Sequence, residues 1–187
     1  MNAIQTLPQI LTEADAIARF AQSRFGQLNA AQLNWKPGAG QWSVAQCLQH
    51  LIATNLEMVS IFDAAIKGTK QTSFLERLPV LPGLWGKMMV KFLAPENKQK
   101  YKAIPKVTPA GSGLDPQIVG QFVAHQQEVI GKMNSIQNLQ LEKIRMTSPF
   151  ASFITYSLLD ACRIIVVHER RHFAQAERVM ATSGFPT

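Results

Sequence analysis

The sequence predicts an all-α fold, a four-helix bundle with a long proline-rich insertion between its second and third helices. Three observations carry the prediction. Four segments repeat apolar residues with a helical period, no segment shows a convincing period-two strand pattern, and 47% apolar content over 187 residues suffices for one core. A single domain over residues 1–187 is expected, and the modest charged fraction of 17% argues against disorder.

The first helix is expected over about residues 8–28, where Leu7, Leu11, Ala14, Ala18, Ala21, Phe25 and Leu28 follow a 4-3-4-3 stripe. Thr6 with Gln9 resembles a capping box, and Pro8 suits the first turn. A loop with Pro37, Gly38 and Gly40 follows. The second helix opens at Ser43 with Gln46 three residues on, flanked by the hydrophobic pair Trp42 and Cys47, and runs to about Lys67 before Gly68. Residues 69–113 contain Pro79, Pro82, Pro95, Pro105 and Pro109, and only 84–93 reads as helix. A connection of that length is either a functional lid or loosely packed, and it is expected to cover one end of the bundle. The third helix is expected to start at Asp115-Pro116 and run to about 137. The fourth spans about 156–182, ended by Gly184 and Pro186.

Bulk properties narrow the function. The net charge is +7, but the basic residues are scattered and do not interleave with aromatics as in a nucleic-acid reader. No nucleic-acid partner is therefore expected, while a small anionic substrate would benefit from the same field. The longest apolar run, 164–167, is far short of the roughly 20 residues that span a bilayer. With no signal-peptide pattern in the first thirty residues, the expectation is a cytoplasmic protein without a membrane partner. Cys47 and Cys162 lack CxxC partners and read as buried thiols.

The fourth helix carries the informative anomaly. Its core seam reads Leu158, Ala161, Ile165, His168, His172, Gln175, Val179. Two histidines at i and i+4 on an apolar seam can share one ion, whereas each left unpaired would cost about 1–3 kcal/mol. His168-Glu169-Arg170-Arg171-His172 also spells the HExxH of zinc proteases. That reading fails on context: only fifteen residues remain for a downstream ligand, position 175 is Gln where the extended motif needs glycine, and no accompanying sheet is expected. A third ligand from another helix is expected instead, and His50, on the second helix between Cys47 and Thr54, is the candidate. Three histidines leave coordination open, as catalytic metal sites do. Glu169, Arg170 and Arg171 are assigned to a solvated face.

QWSVAQCLQHL (41–51) followed by HERRHFAQ (168–175) resembles the DinB-like superfamily of DinB- and YfiT-type metalloenzymes. Its pattern is a Trp-Ser helix start leading to His-Leu, then H-x-x-x-H-x-x-Q on the last helix. Trp42, Ser43, His50, Leu51, His168, His172 and Gln175 match it. The resemblance covers nearly the whole chain, with 69–113 longer than expected of a member. It implies an up-down-down-up bundle and a divalent metal (zinc, nickel or iron) on His50, His168 and His172. It further implies thiol transfer or hydrolysis, with a low-molecular-weight thiol as a candidate cofactor and homodimerisation as a common state. Gln175, His125 and Glu57 are candidates for supporting a ligand or touching the substrate; His125 also reads as a hydrogen-bonded histidine at a seam edge, and Glu57 as a surface acid. Trp42 reads as staple and core. The alternative function is a non-enzymatic, metal-binding stress-response protein.

Overall fold

Thr6, Pro8 and the apolar stripe behind them form α1 (Leu7–Phe20), which buries Ile10, Ala14 and Ile17. The computed structural model describes residues 6–77, 81–97, 99, 101, 103–109, 111 and 113–187, without the side chains of 81 and 82. The helix does not run straight on to 28. A π-turn over Ala21–Phe25 widens its last turn and leaves Phe25 fully buried. Phe25 meets Phe20 and Phe173, and Phe173 meets Phe122, at ring separations of 5.1–5.7 Å.

The expected loop before the second long helix contains one extra element, α2 (Ala30–Asn34), capped reciprocally by Asn29 and Gln32. α3 (Val44–Ile66) starts with the expected Ser43/Gln46 box and ends just before Lys67. α4 (Leu81–Leu93) lies in the proline-rich connection. α5 (Ile118–Ser135) begins later than expected. Residues 115–117 form a turn instead, in which Asp115 accepts from the Gln117 and Ile118 amides.

The expectation of an all-α chain is corrected by a small antiparallel sheet, β1 (Arg145–Ser148) and β2 (Ala151–Ser157), in an otherwise mostly helical protein. Arg145 pairs with Ser157 and Met146 with Tyr156, and the register slips after Thr147. Period-two reading misses the sheet because β1 is only four residues long and Thr155, Tyr156 and Ser157 are buried in succession. β2 packs against both α4 and α6, so its two faces do not alternate between protein and water. Tyr156 thus ends a strand rather than starting a helix. Ser157 caps α6 (Leu158–Met180), its Oγ accepting the Asp160 amide at 3.0 Å.

α1 and α3 each pack against both α5 and α6, around one apolar core. α4 lies outside them, on β2 and the start of α6. Among the described residues, no helix is long and apolar enough to cross a membrane.

Candidate metal centre

Three helical turns place the histidines. The Ser43 cap sets the phase of α3 so that His50, two turns on, faces inward at 5% exposure. On α6, His168 and His172 lie one turn apart, half-buried and buried respectively. The three side chains offer nitrogens that all lie within 4.8 Å of one another, so the group could hold a metal ion. Nε2 of His168 lies 3.4 Å from Nε2 of His50 and 3.0 Å from Nε2 of His172. Two nitrogens bound tetrahedrally at about 2.0–2.1 Å from a zinc ion would be about 3.3 Å apart.

The protonation state suits ligands. His50 Nδ1 lies 2.7 Å from the Val107 carbonyl. Donation there leaves neutral His50 with its lone pair on Nε2, aimed at its neighbours. Burial pulls all three histidines below their ordinary range. For His168 the value falls to about 3, with the His50 and Arg171 charges adding to desolvation. His172 falls well below normal through desolvation, then His168 and His50. The Val107 hydrogen bond opposes the shift at His50. With Nε2 unprotonated on all three neutral rings, their lone pairs would repel one another, and a cation at the meeting point would remove that repulsion.

Two pieces of the 69–113 connection are fastened beside the cluster. Around Val107, Lys106 pairs with Glu57 at 2.7 Å and Gln46 Nε2 approaches the Gly111 carbonyl at 3.4 Å. Around residue 97, Arg171 donates to the carbonyls of Ala94, Asn97 and Gln99. Its guanidinium also lies 5.6 Å from the Tyr101 ring. Trp42 closes another side, stacked on His172 with centroids 5.6 Å apart and tilted against His50 at 4.9 Å.

The remaining candidates are distributed differently. Gln175 is close enough to His172 to oppose its pKa depression, yet His172 Nδ1 is buried without a well-formed hydrogen bond. Glu57 reaches Lys106, next to the carbonyl that orients His50. His125 is buried on α5, with Nδ1 3.7 Å from Glu128 and Nε2 unpartnered; it is not one of the converging nitrogens.

The solvated face assigned to 169–171 is overturned. Glu169 is fully buried, accepting from Asn55 Nδ2 at 2.7 Å and Gln126 Nε2 at 3.0 Å. Burial pushes its carboxyl up to about 8, against the pull of those two hydrogen bonds. Arg170 is a quarter exposed and lies 3.4 Å from Glu13, and Arg171 clamps the carbonyls of Ala94, Asn97 and Gln99. Asn55 and Gln126 carry no recognisable motif. Trp42, beyond its place at the helix start, is part of the cluster's wall. Cys47 stays buried and outside the cluster.

The model of the DinB superfamily matches residues 15–176 of the chain. No curated protein and no solved structure matches it.

Proposed function

The chain belongs to the DinB superfamily, and from that premise we propose that it is a metal-dependent enzyme whose His50, His168 and His172 hold a divalent ion (zinc, nickel or iron). The observation that carries the reading is the convergence of three histidine nitrogens within 4.8 Å, in a setting that keeps the rings neutral. The helices α1, α3, α5 and α6 are read as an up-down-down-up four-helix bundle. The packing of both α1 and α3 against both α5 and α6 supports that reading.

When bound, the ion supplies Lewis acidity that lowers the pKa of a thiol or a water, furnishing the nucleophile for thiol transfer or hydrolysis. The chain's own residues have separate tasks. The Val107 carbonyl holds the Nδ1 proton of His50 and so keeps Nε2 turned inward. Glu57, through Lys106, steadies the segment that carries this carbonyl. Gln175 is assigned to the Nδ1 side of His172, the corresponding place on α6. Trp42 keeps water from one side of the rings. Segment 69–113, tethered by Arg171 and Lys106, serves as the lid. The net charge of +7 favours an anionic small substrate or an acidic low-molecular-weight thiol. His125 receives no task, since no contact among the described residues joins it to the cluster.

Metal analysis of purified protein tests the site. His50→Ala, His168→Ala and His172→Ala should each abolish stoichiometric metal. Retention in the His50 variant would sink the site shared between α3 and α6 and favour the local HExxH pair. In the cobalt-loaded protein, a spectrum that shifts on adding a thiol supports transfer. An unchanged spectrum rules out transfer for that thiol. Bound metal with neither a thiol response nor hydrolysis of ester or amide probes would favour the non-enzymatic metal-binding alternative.

A further inference from the structure

α4 has two apolar sides. On the inner one, Met89, Val90 and Leu93 pack on the core and Gly86 abuts Asp160. On the outer one, Leu84, Met88 and Phe92 follow at four-residue intervals and are 60%, 43% and 37% exposed. Such spacing makes a single row along a helix. Tyr101, its ring 4.1 Å from Phe92, extends the row. Phe153, beside Trp85 at 6.2 Å, broadens the other end. Among the described residues, five of the nine exposed large hydrophobics gather here, so this is a patch rather than the ordinary scatter of single apolar residues. Lys87 and Lys91 are exposed in the next row, one turn apart, and α4 contains no acidic residue.

We propose that α4 with Tyr101 and Phe153 is a docking surface for an anionic lipid bilayer. The helix lies in the interface, with Leu84, Met88 and Phe92 at the acyl boundary and Lys87 and Lys91 reaching toward headgroup phosphates. Charge selects this occupant. A chain of net charge +7 whose α4 carries two lysines and no acid is attracted to an anionic leaflet. A second copy would bring the same charge and the same lysine row, like against like. Among the described residues no helix is long and apolar enough to cross a membrane, but that does not bear on lying in the interface, and the proposal departs from the expectation of no membrane partner. The surface is independent of the histidines, and the proposal stands or falls apart from the metal.

Co-sedimentation of the full chain with phosphatidylcholine vesicles, with and without phosphatidylglycerol, tests it. The protein should pellet with the anionic vesicles, stay in solution with phosphatidylcholine alone, and be released as salt shortens the screening length. Leu84→Asp and Phe92→Asp should each lower partitioning about tenfold or more. Lys87→Glu with Lys91→Glu should lower it on anionic vesicles too. Leu56→Asp, at a 53% exposed position on α3, should leave it unchanged. Circular dichroism matching the parent confirms that each variant is folded. Failure to pellet with anionic vesicles, or equal pelleting of the Leu84 and Phe92 variants, overturns the proposal. So does a dimer in solution that Leu84→Asp dissociates, which would give the face to a second copy.

Discussion

Replacing Glu169 by Ala is the sharpest test of how α6 is packed. The carboxyl is fully buried and joins three helices: Asn55 on α3 donates to one oxygen and Gln126 on α5 to the other. Because burial pushes this group up to about 8, it is largely protonated at neutral pH. The loss is therefore that of hydrogen bonds to a mostly neutral acid, well short of what breaking up a buried ion pair costs. Gln126 Nε2 keeps its second acceptor, the Ala14 carbonyl at 3.3 Å, so Asn55 is the group left stranded. An unsatisfied buried amide costs about 1–3 kcal/mol, and the void left by the shortened side chain adds to it. A total of about 2–4 kcal/mol lowers Tm by roughly 5–15 °C for a domain of this size. Glu169→Gln, which keeps the volume and one acceptor, should lose less. Thermal melts of the metal-free protein measure both, so that ligand loss does not enter the comparison. A Glu169→Ala variant within about 0.5 kcal/mol of the parent, as at a surface position, would refute the buried clasp.

Other perturbations probe the parts that surround it. Gly86→Ala should destabilise by about 1–3 kcal/mol in chemical denaturation. An added Cβ would lie 2.6 Å from Asp160 Cγ, and that carboxylate is tied to Arg163 and Ser157 at 2.7 and 2.8 Å. At an open helix position the same change would stabilise by up to about 1 kcal/mol, so the sign alone decides. Arg171→Ala should speed amide exchange in the 94–97 turn, whose Ala94 and Asn97 carbonyls it holds, with the middle of α6 unaffected. Equal protection in both proteins would mean the turn is held otherwise. Burial raises Cys47 and Cys162 to about 12, so both remain protonated thiols at pH 8 in the folded state. Both should resist a thiol-specific alkylating reagent until denaturant is added, and rapid labelling of either in native protein would contradict its placement.

The parts legible in the sequence are those set by local rules. The Ser43/Gln46 box, the Thr6/Gln9 box and the 4-3 apolar stripe of α1 each depend on residues within one or two turns. They appear where expected. So does the convergence of His50 with His168 and His172, because a polar pair on an apolar seam requires a partner across the core. The β1–β2 hairpin is not legible: α4 covers β2, and the choice of what covers a strand is made far away in the chain, between Leu81–Leu93 and Ala151–Ser157. Val107 was equally hidden. A backbone carbonyl leaves no trace in residue identity, yet this one orients His50.

Glu169 differs from its expected place for a reason the sequence carries. A solvated Glu169 requires that α6 bury one stripe, as a helix at the edge of a bundle does. Residues 164–167, however, are four apolar residues in a row, and at 100° per residue four successive side chains point to every side of a helix. Such a run belongs to a helix covered on most of its circumference, and α6 is indeed packed by α1, α3, α4 and β2. On a helix so enclosed, an acid two residues beyond the run cannot be presumed solvated. It must find donors, and Asn55 supplies one from α3 and Gln126 another from α5. The same enclosure explains why HExxH here is not the motif it spells. In a zinc protease the glutamate must share an open face with the metal and its water. Glu169 instead has both carboxyl oxygens engaged by amides of α3 and α5, and the clamp of Arg171 on the carbonyls of Ala94, Asn97 and Gln99 lies two residues further along the same helix.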